Sequence, residues 1–217
     1  MALDITVMTP SIPARRDYLV EAIDSVMRQT APPAAHLIGI TEVEDGPAMA
    51  QLVGTRNRLA EAAETTWVAT LDDDDYYLPH HFATVAPFLE RSADVIYTFP
   101  DNMPGLVQDV TSWSSAALVG ALSVANCICS NACIRLEALW AAGGWSTEGW
   151  DPETYLYWDG PVCAEDWDLW LRLARIEARF VCVPTATWHY RRHTTNLTDR
   201  ATVIRERSKG NGVYLHG

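Results

Sequence analysis

Lysine is almost absent from this sequence: Lys209 is the only one in 217 residues, and 16 basic side chains face 28 acidic ones for a formal net charge of -12. That balance leaves no basic track for a phosphate backbone and argues against duplex nucleic acid as a partner. Long apolar runs are missing as well. The stretch Ala116 to Cys129 is broken by Gly120, Ser123 and Asn126, so nothing approaches the ~18 apolar residues of a transmembrane segment. Met1 to Met8 lacks the basic region, apolar run and cleavage site of a signal peptide. These absences point to a cytoplasmic setting, with peripheral contact to a membrane-borne acceptor left open. Cys127, Cys129, Cys133, Cys163 and Cys182 lack paired zinc-ligand spacing and read as small buried hydrophobes in a reducing compartment.

What is present suits one α/β domain over residues 1–217. A chain of this size buries about 70% of its extended surface without help from a staple or partner. Leu3 to Met8 reads as a central parallel strand, and Tyr18, Ala22, Val26 and Met27 recur at helical spacing behind a capping Asp17. A strand over Leu37 to Val43, a helix over Ala48 to Ala63 and a strand over Thr66 to Leu71 follow. A helix at His80 to Glu90 and a strand at Asp94 to Phe99 complete the first half. Strand and helix alternation predicts a mostly parallel central sheet flanked by helices.

The second half is less regular. Met103 to Gly120 reads as a loop, Ser123 to Cys133 as a strand, and Leu136 to Ala142 as a helix ended by Gly143 and Gly144. Leu169, Leu173 and Ile176 share one face of a helix opened by Glu165 or Asp166, and Phe180 to Val183 forms another strand. His36 falls on a surface loop, and His80 and His81 at a helix start. Residues 199–217 form a tail.

Ligands of open α/β sheets bind beyond the C-terminal ends of the strands. Thr9, Asp45 and the run Asp72 to Asp75 all fall there. Four adjacent carboxylates repel one another unless they are solvated or neutralised. A solvated turn is one reading. A divalent ion shared with a diphosphate is the other, because magnesium and manganese take one or two carboxylates plus phosphate oxygens.

The segment LDDDDYYLP resembles the Asp-x-Asp segment of glycosyltransferase family 2, which has the A-type nucleotide-sugar-binding fold. ITVMTPSIPARRDYLVEAIDSVMRQT resembles the first strand and helix of that family, and TRNRLAEAAETTWVATLDDDD the approach to its metal site. CAEDWDLWLRLA and WHYRRHTTN resemble its catalytic helix and closing loop. The likeness runs over roughly residues 3–198. It implies a nucleotide-sugar half over 1–100 and an acceptor and catalytic half over 101–198. By this resemblance Thr9 and Pro10 lie beside the nucleobase, Asp45 accepts a hydrogen bond from it, and Asp72 contacts the ribose. Asp74 binds Mn2+ or Mg2+, Asp73 fills the variable place, and Asp75 orients a water or the donor sugar. Arg56 reaches either the diphosphate or the acidic cluster, as Arg15 and Arg16 do if they are not simply surface residues. Only ten residues separate Asp45 from Arg56, where the family has a further helix and strand, so the donor region is trimmed.

Glu165 and Asp166 match the family's Glu-Asp signature, which implies Asp166 as general base and Glu165 as its neighbour positioning the acceptor; Asp168 is the reserve. Helix N-termini favour carboxylates on their own account, which is the plainer explanation. Arg191 and His193 match the closing loop and imply contact with diphosphate or metal, and His189 is the second histidine considered as a metal ligand. Trp150, Tyr155 and Trp158, in a polar segment that is an odd place to bury large rings, read with Trp167 as an acceptor wall. The expectation is therefore an inverting, metal-dependent hexosyltransferase using a nucleotide-diphosphate sugar, a UDP-sugar first among candidates. The acceptor is a glycan, a protein or a lipid-linked molecule, and a homo-oligomer is left open. A nucleotidyltransferase, a nucleotide-sugar hydrolase or a silent nucleotide-sugar-binding protein are the alternatives.

Overall fold

A computed structural model of the chain describes residues 1–42, 48–103, 105, 107–151, 156–157 and 164–193. Asp45, Tyr155, Trp158 and Cys163 lie outside the described residues. The elements run β1 (Leu3–Ser11), α1 (Arg16–Met27), β2 (Pro33–Ile40), α2 (Ala48–Glu61), β3 (Trp67–Thr70), β4 (Tyr76–Tyr77), α3 (His81–Leu89), β5 (Val95–Pro100), α4 (Ser115–Leu122), β6 (Ala132–Arg135), α5 (Leu136–Ala141), β7 (Trp150–Asp151), β8 (Leu156–Tyr157), α6 (Glu165–Arg175) and β9 (Phe180–His189).

Seven strands form one sheet in the order β2-β1-β3-β6-β5-β9-β4. Pairing is parallel at β1/β2, β1/β3 and β5/β9 and antiparallel at β3/β6, β5/β6 and β4/β9. Five strands therefore share one direction, with β6 and β4 opposed, as the expected mostly parallel sheet requires. β1 is buried continuously from Ile5 to Ser11, the pattern of a strand covered on both faces. Helix α2 packs on β1 and β2. Gly39 permits this approach, since a Cβ there would stand 2.4 Å from Thr55 Cγ2.

Several expectations are corrected. β2 starts four residues earlier than Leu37, which puts His36 on a strand rather than a surface loop. The loop expected at Met103 to Gly120 contains α4, capped by Ser114 Oγ accepting from Ala117 N at 3.2 Å. Most of the strand expected at Ser123 to Cys133 is irregular, and pairing begins only at Ala132. Asp17 lies in the first turn of α1 without capping it. In α6, Leu169 and Leu173 are fully buried, but Ile176 lies past the helix end and is exposed. Among the described residues no helix is long and apolar enough to cross a membrane.

Candidate active site

β3 ends in a turn closed by Asp75 N donating to Asp72 O at 3.1 Å, and β4 then leads back along β9. The four carboxylates alternate between half-buried and buried, Asp72 and Asp74 against Asp73 and Asp75. This period of two splits the run into an inner and an outer pair, so the run is not a solvated turn. Asp73 accepts from Ser11 Oγ at 2.7 Å and Arg15 Nη1 at 2.9 Å. Burial raises its pKa, while the bonds to Ser11 and Arg15 oppose the rise. Asp75 accepts from Asn131 Nδ2 and Arg191 N, each at 2.9 Å. Burial, with Asp72 and Asp74 nearby, pushes its pKa well above the usual carboxylate range. Ser130 and Asn131 lie in the stretch expected to be a strand and carry no local signal for this role.

Each carboxylate of the outer pair has two partners of its own. Asp72 accepts from Arg56 Nη2 at 2.5 Å and from Ser130 Oγ at 3.0 Å. Asp74 Oδ2 lies 3.0 Å from Arg15 Nη1 and 2.9 Å from His193 Nε2. Arg15 thus joins the acidic cluster rather than the open surface.

The opposite wall is the start of α6, where Asp166 Oδ1 accepts from Trp167 N at 2.7 Å and Glu165 Oε1 accepts from Arg56 Nη1 at 2.5 Å. Burial raises the Asp166 pKa to about 7; Glu165 adds to the rise, and Arg56 opposes it. Arg56 itself is 2% exposed. Burial works against its cation, but Glu165, Asp72 and Asp166 hold its pKa above the ordinary value. Arg56 meets the acidic cluster at Asp72 and the start of α6 at Glu165. Asp168, the reserve base, is paired with Arg172 Nε at 2.8 Å and buried.

The end of β9 crosses the acidic run. Arg191 Nε donates to Asp74 O at 2.9 Å, and its guanidinium lies over Tyr18 and Tyr76 at 4.9 and 5.7 Å and bonds Glu21. His193 stacks on Tyr18 and His189 on Tyr76. The two histidines then part: His193 reaches Asp74, whereas His189 Nδ1 lies 2.7 Å from Asp101 Oδ1. The structure brings His193, and not His189, to the expected metal ligand.

Thr9 and Pro10 are buried at the end of β1, with Thr9 Oγ1 2.9 Å from His36 Nε2. Burial lowers the His36 pKa to about 4. Trp150 is half-buried against the core. Trp167 is placed away from an acceptor wall: it is 5% exposed and its Nε1 donates to Leu122 O at 2.7 Å, which packs α6 against α4.

Among the described residues no group of three or more His, Cys, Asp or Glu side chains is arranged to hold a metal ion. Asp74 and His193, 2.9 Å apart, would offer two ligands to an ion. That set fits magnesium or manganese when a diphosphate supplies further oxygens.

Neither a protein-family profile nor a curated protein sequence matches the chain. Solved structures do. S. aureus TarS residues 1–349 superposes with a TM-score of 0.63 at 15% identity, over 100% of this chain and 76% of that one. The mannosyltransferase PcManGT from Pyrobaculum calidifontis, in complex with GDP-Man and Mn2+, gives 0.59 at 12% identity over 92% of this chain and 60% of that one. Glucosyl-3-phosphoglycerate synthase from Mycobacterium tuberculosis, with Mn2+, UDP and phosphoglyceric acid, gives 0.55 at 14% over 98% and 80%. The chain has the A-type glycosyltransferase fold, and it spans only part of the length of these neighbours.

Proposed function

We propose that this chain is an inverting, metal-dependent glycosyltransferase that moves a sugar from a nucleotide-diphosphate sugar to an acceptor hydroxyl. One observation carries the reading: the acidic run and the Glu165–Asp166 pair, far apart in sequence, meet in one site through Arg56. In this reading Thr9, Pro10 and Asp45 receive the nucleobase and Asp72 the ribose. Asp74 and His193 hold a divalent ion, which supplies neutralising charge for the departing diphosphate. Asp73 supports the site from behind through Ser11 and Arg15, and Arg191 ties the closing segment over it.

Asp166 takes the acceptor proton as the oxygen attacks the anomeric carbon from the side opposite the diphosphate, so the configuration inverts. A carboxyl whose pKa lies at about 7 is well matched to that task near neutral pH. Glu165 orients the acceptor side, with Trp150, Tyr155 and Trp158 as the wall. A UDP-sugar is the first donor to try, because TarS structures are described with UDP-GlcNAc and with UDP; GDP-mannose is the second.

The test is calorimetric titration with a panel of nucleotide-diphosphate sugars, each with and without Mn2+, followed by product analysis. Metal-dependent binding of one donor, lost in Asp74→Ala, supports the donor half. Sugar transfer lost in Asp166→Asn while donor binding persists supports the catalytic half. Release of pyrophosphate, or free sugar with no acceptor product, would assign a nucleotidyltransferase or a hydrolase instead.

A further inference from the structure

The Arg56 guanidinium is buried at 2% exposure and places one nitrogen 2.5 Å from Asp72 Oδ1 and another 2.5 Å from Glu165 Oε1. Its remaining nitrogen, Nε, has no hydrogen-bond partner among the described residues. The two η nitrogens therefore carry its polar contacts. Burying such a cation carries a desolvation penalty, and a well-packed apolar side chain often serves stability as well or better. The next residue continues the grip: Asn57 Nδ2 donates to Trp145 O at 2.9 Å and Asn57 Oδ1 accepts from Trp145 N at 3.0 Å. The Arg56 guanidinium lies 5.9 Å over the Trp145 ring. One turn of α2 thus holds the donor-side carboxylate, the start of α6 and the loop after α5.

We propose that Arg56 is the positioning residue of this site: its fork fixes the start of α6 against Asp72 and so sets where Asp166 stands and how readily it ionises. The inference rests on reading Asp166 as the base. Its geometry follows from the planar fork, which can bond two carboxylates at once, as a lysine ammonium on a flexible stem does less well. Its electrostatics follow from the titratable groups around Asp166. Those are Glu165 on α6 itself, Asp72 beyond β3, the Cys129 thiol ahead of β6, and Arg56 from α2. Arg56 is the one cation in that set.

Two variants separate charge from geometry. Arg56→Gln removes the charge, and Arg56→Lys keeps it while losing the fork. The Asp166 carboxyl is followed by carbon NMR across pH without any donor, its signal assigned by its loss in Asp166→Asn; kcat is measured separately. In Arg56→Gln the titration moves to higher pH. In Arg56→Lys it stays near wild type, while kcat falls about 100-fold, the scale expected for a reacting group misplaced by an ångström. An unmoved titration in folded Arg56→Gln, or wild-type kcat in folded Arg56→Lys, overturns the proposal; should Arg56→Gln fail to fold, Arg56→Lys decides it. If the wild-type protein transfers no sugar, the functional reading fails on its own, and the titration still decides whether Arg56 governs Asp166.

Discussion

His193 Nε2 lies 2.9 Å from Asp74 Oδ2, although 119 residues separate them, and His189, four residues earlier, is bonded to Asp101 instead. The two histidines therefore predict different phenotypes. His193→Ala should raise the Mn2+ concentration needed for half-maximal turnover by about tenfold or more, the loss seen when even supporting groups of a metal site are removed. His189→Ala should change it by less than about twofold, since His189 bonds Asp101 and not Asp74. Steady-state rates across a Mn2+ titration check this, and the reverse order would reassign the ligand.

Asp166 makes a pH prediction in two observables. Its pKa of about 7 in the ligand-free protein places the acid limb of kcat/KM near neutrality, because only the ionised carboxylate accepts a proton. Asp166→Asn should lower kcat by about 10²–10⁴-fold, the usual contribution of a general base. Stability should move oppositely. The folded pKa is raised above the ordinary 3.8, so this carboxyl's contribution to stability is full below about pH 4 and is lost as pH rises through about 7. Asp166→Asn escapes that loss. Its melting temperature should match wild type at pH 4 and exceed it at pH 8, by about 2–4 °C per kcal/mol recovered. Melting curves at the two pH values test the sign.

The first half of the fold was legible because β1, β3 and β5 are short apolar runs, and α1, α2 and α3 helical stretches, bounded by turn signals. Pro32 and Pro33 follow α1, and the acidic run ends β3. The second half was harder for physical reasons. Helix α4 reads SAALVGAL, apolar all round and therefore without amphipathic period, so only its Ser114 cap marked it. The acidic run stands out in the sequence, but which carboxylates turn inward depends on Ser11 and Asn131, contacts across 62 and 56 residues that no local pattern encodes. The same holds for Arg56, whose bond to Glu165 spans 109 residues and is decided by where α6 begins.

Arg15 predicts how metal binding competes with the protein's own cations. Its Nη1 bridges Asp73 Oδ1 and Asp74 Oδ2 at 2.9 and 3.0 Å, and that Asp74 oxygen is the one His193 bonds. A divalent ion entering at Asp74 meets a guanidinium already in place. Arg15→Ala should therefore melt lower without metal, because Asp73 and Asp74 lose a counter-ion, yet gain more from added Mn2+. A tenfold tighter site adds about 1.4 kcal/mol at saturating metal. Thermal shifts with and without Mn2+ decide it: a smaller shift than wild type would show that Arg15 assists the ion rather than competing with it.

Gly144 links the loop after α5 to the Asn57 clasp, and its neighbour supplies the control. Both glycines have positive φ, +69° at Gly144 and +86° at Gly143, so alanine at either costs about 1–2 kcal/mol of backbone strain. Only at Gly144 does a Cβ collide, standing 2.9 Å from Asn57 Oδ1 and 2.9 Å from Trp140 Cζ3, whereas at Gly143 the nearest atom is Arg172 Nη1 at 3.8 Å. Asn57 Oδ1 is also the acceptor for Trp145 N at 3.0 Å. Moving it loosens the grip of α2 on the loop that flanks Arg56. Gly143→Ala should therefore lower the melting temperature by about 2–8 °C with kcat of the folded enzyme unchanged. Gly144→Ala should melt lower still and also lose kcat. Equal kcat in the two folded variants would show that the clasp stabilises the fold without reaching the catalytic helix.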